Sequence, residues 1–167
     1  NGLVLPFEVA DEQIAILEIF GNQDKKVHET ALILQKALTR KGYRVTIDDS
    51  DKSFGYKINE KEVSGVPFSI IIGPKDVAAN KATLYRRDTR EKTEVSLLTL
   101  VPSFRKLVRE YQSNLMKRAK QNLQSRIVKI SNFEDYKVAL EQGKLILAPW
   151  GGDENDEKEL KQQTGST

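Results

Sequence analysis

Cysteine is absent from this chain of 167 residues, and histidine, tryptophan and methionine occur once each. Without thiols there is neither a disulfide framework nor a thiolate metal site, and the lone imidazole of His28 cannot build a nitrogen-rich one. His28 falls early in an expected surface helix and reads as an ordinary exposed residue, because one imidazole without partners does no catalysis. No apolar run reaches the roughly 18 residues that would span a membrane, and no signal-peptide pattern is seen, so the expected setting is the cytoplasm. A nucleophile-and-base constellation and a phosphate-cradling glycine loop are also missing, since Gly151-Gly152 is a single loop signal with nothing like a P-loop nearby.

What is present is charge. Lysine and arginine number 27 against 24 acidic residues, a net charge of +3 that is unevenly spread. Arg86, Arg87, Arg90 and Lys92 cluster after one strand, and Arg105, Lys106, Arg109, Lys117, Arg118, Lys120 and Arg126 load one long helix. Acidic residues gather at Asp153, Glu154, Asp156, Glu157 and Glu159. The basic part suits a polyanion, although such runs also serve as plain solvated faces. A chain of this size buries about 70% of its unfolded surface, enough for a genuine core.

Patterning predicts an α/β order. Gln13 to Phe20 reads as a strand, and Gly21-Asn22 turns into a helix from Asp24 to Lys41 with Val27, Ala31, Leu34, Ala37 and Leu38 at helical spacing and Gly42 as the stop. Tyr43 to Ile47 is the next strand, which implies parallel pairing through a right-handed crossover. A short helix over Gly55 to Val63 leads to a buried strand, Pro67 to Ile72, which Gly73-Pro74 ends by turning Lys75 and Asp76 to the sheet's rim. Strands at Lys81 to Arg87 and Glu91 to Val95 form a hairpin and make the sheet mixed. Thr99 is expected to cap a long helix with Pro102 in its first turn. Its stripe of Leu100, Phe104, Leu107, Val108, Tyr111, Leu115, Ala119 and Leu123 is packing surface rather than a cofactor box. After Arg126 a small unit follows: strand Ile127 to Ile130, helix Asn132 to Gln142, strand Leu145 to Ala148 and an acidic helix.

Three blocks carry a family resemblance: Ile47-Asp48-Asp49-Ser50-Asp51, Gly55-Tyr56-Lys57-Ile58-Asn59-Glu60-Lys61-Glu62, and the run from Gly65-Val66-Pro67-Phe68 to Gly73-Pro74-Lys75-Asp76. In this order and spacing they resemble the anticodon-binding domain of class II aminoacyl-tRNA synthetases, closest to prolyl-tRNA synthetases of the archaeal/eukaryotic type. The second block and the appended small unit favour prolyl over the threonyl, glycyl and histidyl relatives. Gly2 to Gln13 resembles the segment leaving the catalytic domain, with Asp11 where the family carries a second proline, and Thr164 to Thr167 is similar to a Thr-Gly-Ala-Thr segment after which family members continue. The resemblance thus implies an anticodon-binding domain over residues 1–125, with 1–12 as linker, and over 126–167 the start of an α+β appended domain.

The function implied is recognition of the proline tRNA anticodon stem-loop. The parent enzyme would be a proline–tRNA ligase, a homodimer through its catalytic domains, with ATP and magnesium used in the catalytic domain of the same chain. That domain's ATP-binding arginine pair is not found here, so no cofactor and no catalytic residue is assigned to this chain. Proline codons begin with two cytosines, so the anticodon presents two guanines, whose O6 and N7 suit lysine or arginine and whose N–H groups suit a carboxylate. By resemblance Glu62, Lys75 and Asp76 contact those guanines; the alternatives are a surface glutamate and a Lys-Asp ion pair. Ser69 stands where the family often has arginine, and Arg86 or Arg87 is expected to substitute. Tyr56 is the better candidate for stacking on an unpaired base than Phe54, while Phe68 is expected to point inward.

Asp48, Asp49 and Asp51 could suggest a hard-cation site, but the spacing fits turn stabilisation better. Gly151 and Asp156 stand where related synthetases carry zinc-binding cysteines, so no metal is expected. The rival reading is a non-catalytic nucleic-acid-binding or interaction protein on the same fold, such as a synthetase paralogue or polymerase accessory subunit. A small-molecule α/β enzyme ranks third.

Overall fold

The computed structural model describes residues 2–21 and 23–165; Asn22 of the expected turn and Ser166-Thr167 of the family-like end lie outside the described residues. In chain order the elements are β1 (Ile14–Glu18), α1 (Lys25–Thr39), β2 (Val45–Asp48), α2 (Phe54–Ser64), β3 (Phe68–Ile72), α3 (Pro74–Ala78), β4 (Lys81–Arg86), β5 (Lys92–Ser96) and α4 (Leu97–Arg126). Then come β6 (Ile127–Lys129), α5 (Phe133–Glu141), β7 (Leu145–Leu147) and α6 (Glu154–Thr164). Chain contacts divide into two compact units, Asn1–Leu115 and Met116–Thr167.

The first unit holds the expected mixed five-stranded sheet flanked by helices, in the order β2-β1-β3-β4-β5. β1 pairs in parallel with β2 and β3, and β3-β4 and β4-β5 are antiparallel. β1 is buried at all five positions, as a central strand covered on both faces must be. Alternation divides the strand residues between two layers. Ile14, Ile16, Phe68, Ile70 and Ile72 face α1 and α4, whereas Ala15, Leu17, Ile71 and Tyr85 face α2 through Phe54 and Ile58.

The larger layer is built on aromatics. Phe104 of α4 sits 5.0 Å from Phe68 and 5.3 Å from Tyr43, ring centroid to centroid, and Tyr111 sits 5.2 Å from Phe68. The Tyr111 hydroxyl donates to the Leu5 carbonyl at 2.8 Å, so the N-terminal segment is tied to this core. Phe68 is fully buried, as its alternation requires.

Four details differ from the sequence reading. Gly73-Pro74 does not end in an open turn: Pro74 begins α3, and the Asp76 carboxylate accepts from the Gly73 amide at 2.9 Å. Ser96, not Thr99, stands at the start of α4, its hydroxyl accepting from the Leu98 amide at 3.3 Å, because the helix begins two residues earlier than Thr99. The α4 stripe is not packing surface throughout, since Leu123 is half exposed and Ala119 exposed. Both residues lie past Leu115, in the second of the two units. His28 is not a plain surface residue either: its Nδ1 pairs at 3.0 Å with Glu18, whose side chain is fully buried.

The second unit, described by itself, pairs β6 and β7 in parallel with Ile127 opposite Leu145. Asn132 caps α5 by accepting from the Asp135 amide at 2.9 Å.

Candidate nucleic-acid interface

Ser53 opens α2 as its N-cap, and Gly65, at φ +78°, ends it in the left-handed conformation that glycine adopts without a Cβ penalty. Phe54, Ile58 and Glu62 then recur every fourth residue along one side of the helix. The first two pack on the sheet. Glu62, the third, meets the polar end of that layer: Tyr85 donates its hydroxyl to Glu62 Oε1. Burial, and then the bond to Glu62, push the Tyr85 phenol above its ordinary value, which keeps it protonated and donating. The Glu62 side chain remains 29% exposed, and Arg87 Nη1 lies 4.0 Å from the same Oε1.

Strand register places Ser69, Tyr85 and Lys92 in one row across β3, β4 and β5 on the α2 side. Lys92 and Glu94 on that side are exposed, so the hairpin presents an open strip beside α2. The Lys92 ammonium reaches across it to within 4.7 Å of the Phe54 ring, and the Ser69 hydroxyl is buried without a hydrogen-bond partner. Tyr85 did not stand out in the sequence, and Lys92 stood out only as one member of a basic cluster. The signal available was the alternation of Lys81 to Arg86, which puts Tyr85 on the α2 side.

Lys75 and Asp76 sit at the other end of β3. Glu62 lies beside the Ser69-Tyr85 pair, whereas Lys75 comes three residues after Ile72, so about 10 Å of strand, from Ser69 to Ile72, separates the two ends. The two groups therefore do not converge on one point. Lys75 is exposed, and Asp76 is half-buried with one oxygen on the Gly73 amide. Tyr56 is 53% exposed, and the Lys52 ammonium stands 4.5 Å from its ring centre. The two arginines offered for the place of Ser69 are engaged elsewhere. Arg86 bonds Asp88 at 2.8 and 3.1 Å and reaches Glu110 at 3.5 Å, with the Asp88 bond the main reason its guanidinium is held above its ordinary value. Arg87 is 1% exposed, and its Nε donates to the Leu3 carbonyl at 2.8 Å.

Beneath the interface a buried lysine anchors α2. Lys57 Nζ donates to the Glu18 carbonyl at 2.8 Å and the Asp48 carbonyl at 3.0 Å, and stands 3.5 Å from Asp48 Oδ1. Burial tends to raise the Asp48 carboxyl, but bonds from the Ser50 hydroxyl and amide, with the Lys57 ammonium, hold it below its ordinary value. Of the three aspartates in this stretch, Asp48 holds the turn, through the Ser50 amide and hydroxyl. Among the described residues no group of three or more histidine, aspartate or glutamate side chains is arranged to hold a metal ion, and no helix is long and apolar enough to cross a membrane.

A family model described as "Anticodon binding domain" matches residues 13–107. Over the whole chain, the sequence is 39% identical to a proline–tRNA ligase of Malacoplasma penetrans, and 38% identical over nearly all of it to one of Mesoplasma florum. The chain spans 35% of the length of each. A crystal structure of prolyl-tRNA synthetase from Cryptosporidium parvum, complexed with halofuginone and AMPPNP, superposes with a TM-score of 0.92 at 32% identity, covering 98% of this chain and 34% of that one. A second structure of the same synthetase, complexed with L-proline and AMP, gives 0.86 at 34% identity, covering 98% of this chain and 36% of that one.

Proposed function

The chain belongs to the anticodon binding domain family, and from that premise we propose that it is the tRNA-reading part of a proline–tRNA ligase. It grips the anticodon stem-loop of proline tRNA, while a catalytic domain elsewhere in the same protein joins L-proline to that tRNA using ATP and magnesium. The likeness to proline–tRNA ligases along the whole chain supports this reading, as does the share of their length it spans. The parent is proposed to act in the cytoplasm as a homodimer through its catalytic domains.

One observation carries the site. Glu62 has one carboxylate oxygen on the Tyr85 hydroxyl and, among the described residues, no hydrogen bond on the other, at the margin of an open strip of sheet. A guanine edge needs such an acceptor for its N–H groups and a cation for O6 and N7. Exposed Lys75 supplies that cation at the far end of β3, with Asp76 beside it as a second acceptor, and Tyr56 offers a ring on which an unpaired base can stack. Arg86 and Arg87 contribute from behind, as ion-paired or buried supports.

Titrating the chain with the anticodon stem-loop, and with loops in which each guanine is changed to adenine, tests the proposal. Each exchange should weaken binding by about 1–3 kcal/mol, and Lys75→Ala should abolish the preference for one guanine only. Equal affinity for all loops, falling together with salt, would leave only phosphate attraction and contradict the reading.

A further inference from the structure

Arg87 follows β4 directly and turns its guanidinium inward, where it is 1% exposed. Its Nε is satisfied by the Leu3 carbonyl at 2.8 Å, but among the described residues Nη1 and Nη2 make no geometrically sound hydrogen bond, although the guanidinium also acts on the Tyr85 hydroxyl. A guanidinium stays charged at any pH a protein meets, so burying one demands a counter-charge. The carboxylate paired with it is that of Glu62, whose Oε1 lies 4.0 Å from Nη1. That same oxygen takes the Tyr85 hydroxyl. Oε1 is thus committed to the protein from two directions, and Oε2 is the oxygen left for a ligand.

The N-terminal segment closes this arrangement from above. A Cβ on Gly2 would lie 2.0 Å from the Glu62 carbonyl oxygen, and one on Gly65 would lie 2.8 Å from the Leu3 Cβ. The segment therefore runs in direct contact with the last turn of α2, and the Leu3 carbonyl it brings holds the other side of the Arg87 fork. Arg87 bridges that segment and Glu62.

We infer that Arg87, with Tyr85, is a positioning residue: it fixes the rotamer of Glu62 so that one carboxylate oxygen is presented to a guanine, and it does not touch RNA itself. The inference rests on the proposed reading of Glu62. A long carboxylate side chain at a half-exposed helix end samples several rotamers, and single-base discrimination needs one of them held. The Coulomb attraction of a buried guanidinium and the bond from a phenol that stays protonated supply that restraint.

The test is a cycle of variants of the chain, Glu62→Gln, Arg87→Met and the double variant, titrated with the native stem-loop and with loops carrying one guanine changed to adenine, after circular dichroism has established folding. Glu62→Gln is expected to reduce discrimination at one guanine by about tenfold. Arg87→Met should give the same loss at that guanine and no other, and the double variant should be no worse than either single one. Arg87→Lys, which keeps the charge without the fork, should restore part of it. Full discrimination by folded Arg87→Met, with discrimination lost in Glu62→Gln, would overturn the inference and leave the reading of Glu62 intact. Full discrimination by Glu62→Gln would overturn both. Should the Arg87 variants fail to fold, the Arg87 side-chain resonances of the natural chain decide: Glu62→Gln should shift the Nε–H signal and speed rotation of the Nη groups, and unchanged signals would overturn the inference.

Discussion

Lys57 carries more of the fold than its place in a polar block suggests. Its ammonium is buried against the Glu18 and Asp48 carbonyls, and Lys57→Met keeps the stem while removing the donors. The expected cost is about 3 kcal/mol in urea unfolding, because two buried carbonyls and a nearby carboxylate lose their partner together. The Asp48 carboxyl adds a pH dependence. Held below its ordinary value of 3.8 in the folded chain, it contributes stability that is fully present above 3.8 and lost as the pH falls through its lower folded value. Asp48→Asn should therefore be less stable than the natural chain at neutral pH, with the gap narrowing in acid; a constant gap would show that the charge is not what matters. Neither role was legible from residue types. Lys57 reads as surface because it sits among Tyr56, Asn59 and Glu60, and only closure of α2 over the ends of β1 and β2 buries it.

At the scale of elements, packing against the sheet decides what each helix residue is worth. Phe104 is fully buried between Phe68 and Tyr43, so Phe104→Ala should cost about 3–5 kcal/mol. Leu123 belongs to the same sequence stripe but is 51% exposed, and Leu123→Ala should change stability by less than about 0.5 kcal/mol. Thermal unfolding of the two variants checks the contrast, and equal losses would mean that the stripe is covered along its whole length. Strands and helices were legible because the periods differ: Gln13 to Phe20 and Pro67 to Ile72 are apolar runs of strand length, and the residues from Val27 to Leu38 recur at helical spacing. What escaped was local. α3 replaces a turn because Pro74 fits a first helical position and the Asp76 carboxylate can reach back to the Gly73 amide, a choice the dipeptide Gly-Pro does not settle.

For the whole molecule, on the proposed reading, the sheet turns three sequence blocks into one surface with two addresses, Glu62 at the start of β3 and Lys75 with Asp76 at its end. The blocks were legible as motifs. Their separation along β3 was not, nor was the inward turn of Arg87, because both depend on α2 running back along the sheet and on the N-terminal segment crossing its last turn. On the proposed reading the basic face of α4, with Arg105, Lys106 and Arg109 exposed, supplies attraction without register. Backbone amide shifts of the chain on addition of the anticodon stem-loop test the account most directly. The largest changes are expected around Tyr56, Glu62, Lys75 and Asp76, and the changes near Glu62 should shrink when one guanine of the loop is replaced and those near Lys75 when the other is. Changes confined to Arg105, Lys106 and Arg109, and identical for a loop without guanines, would contradict it.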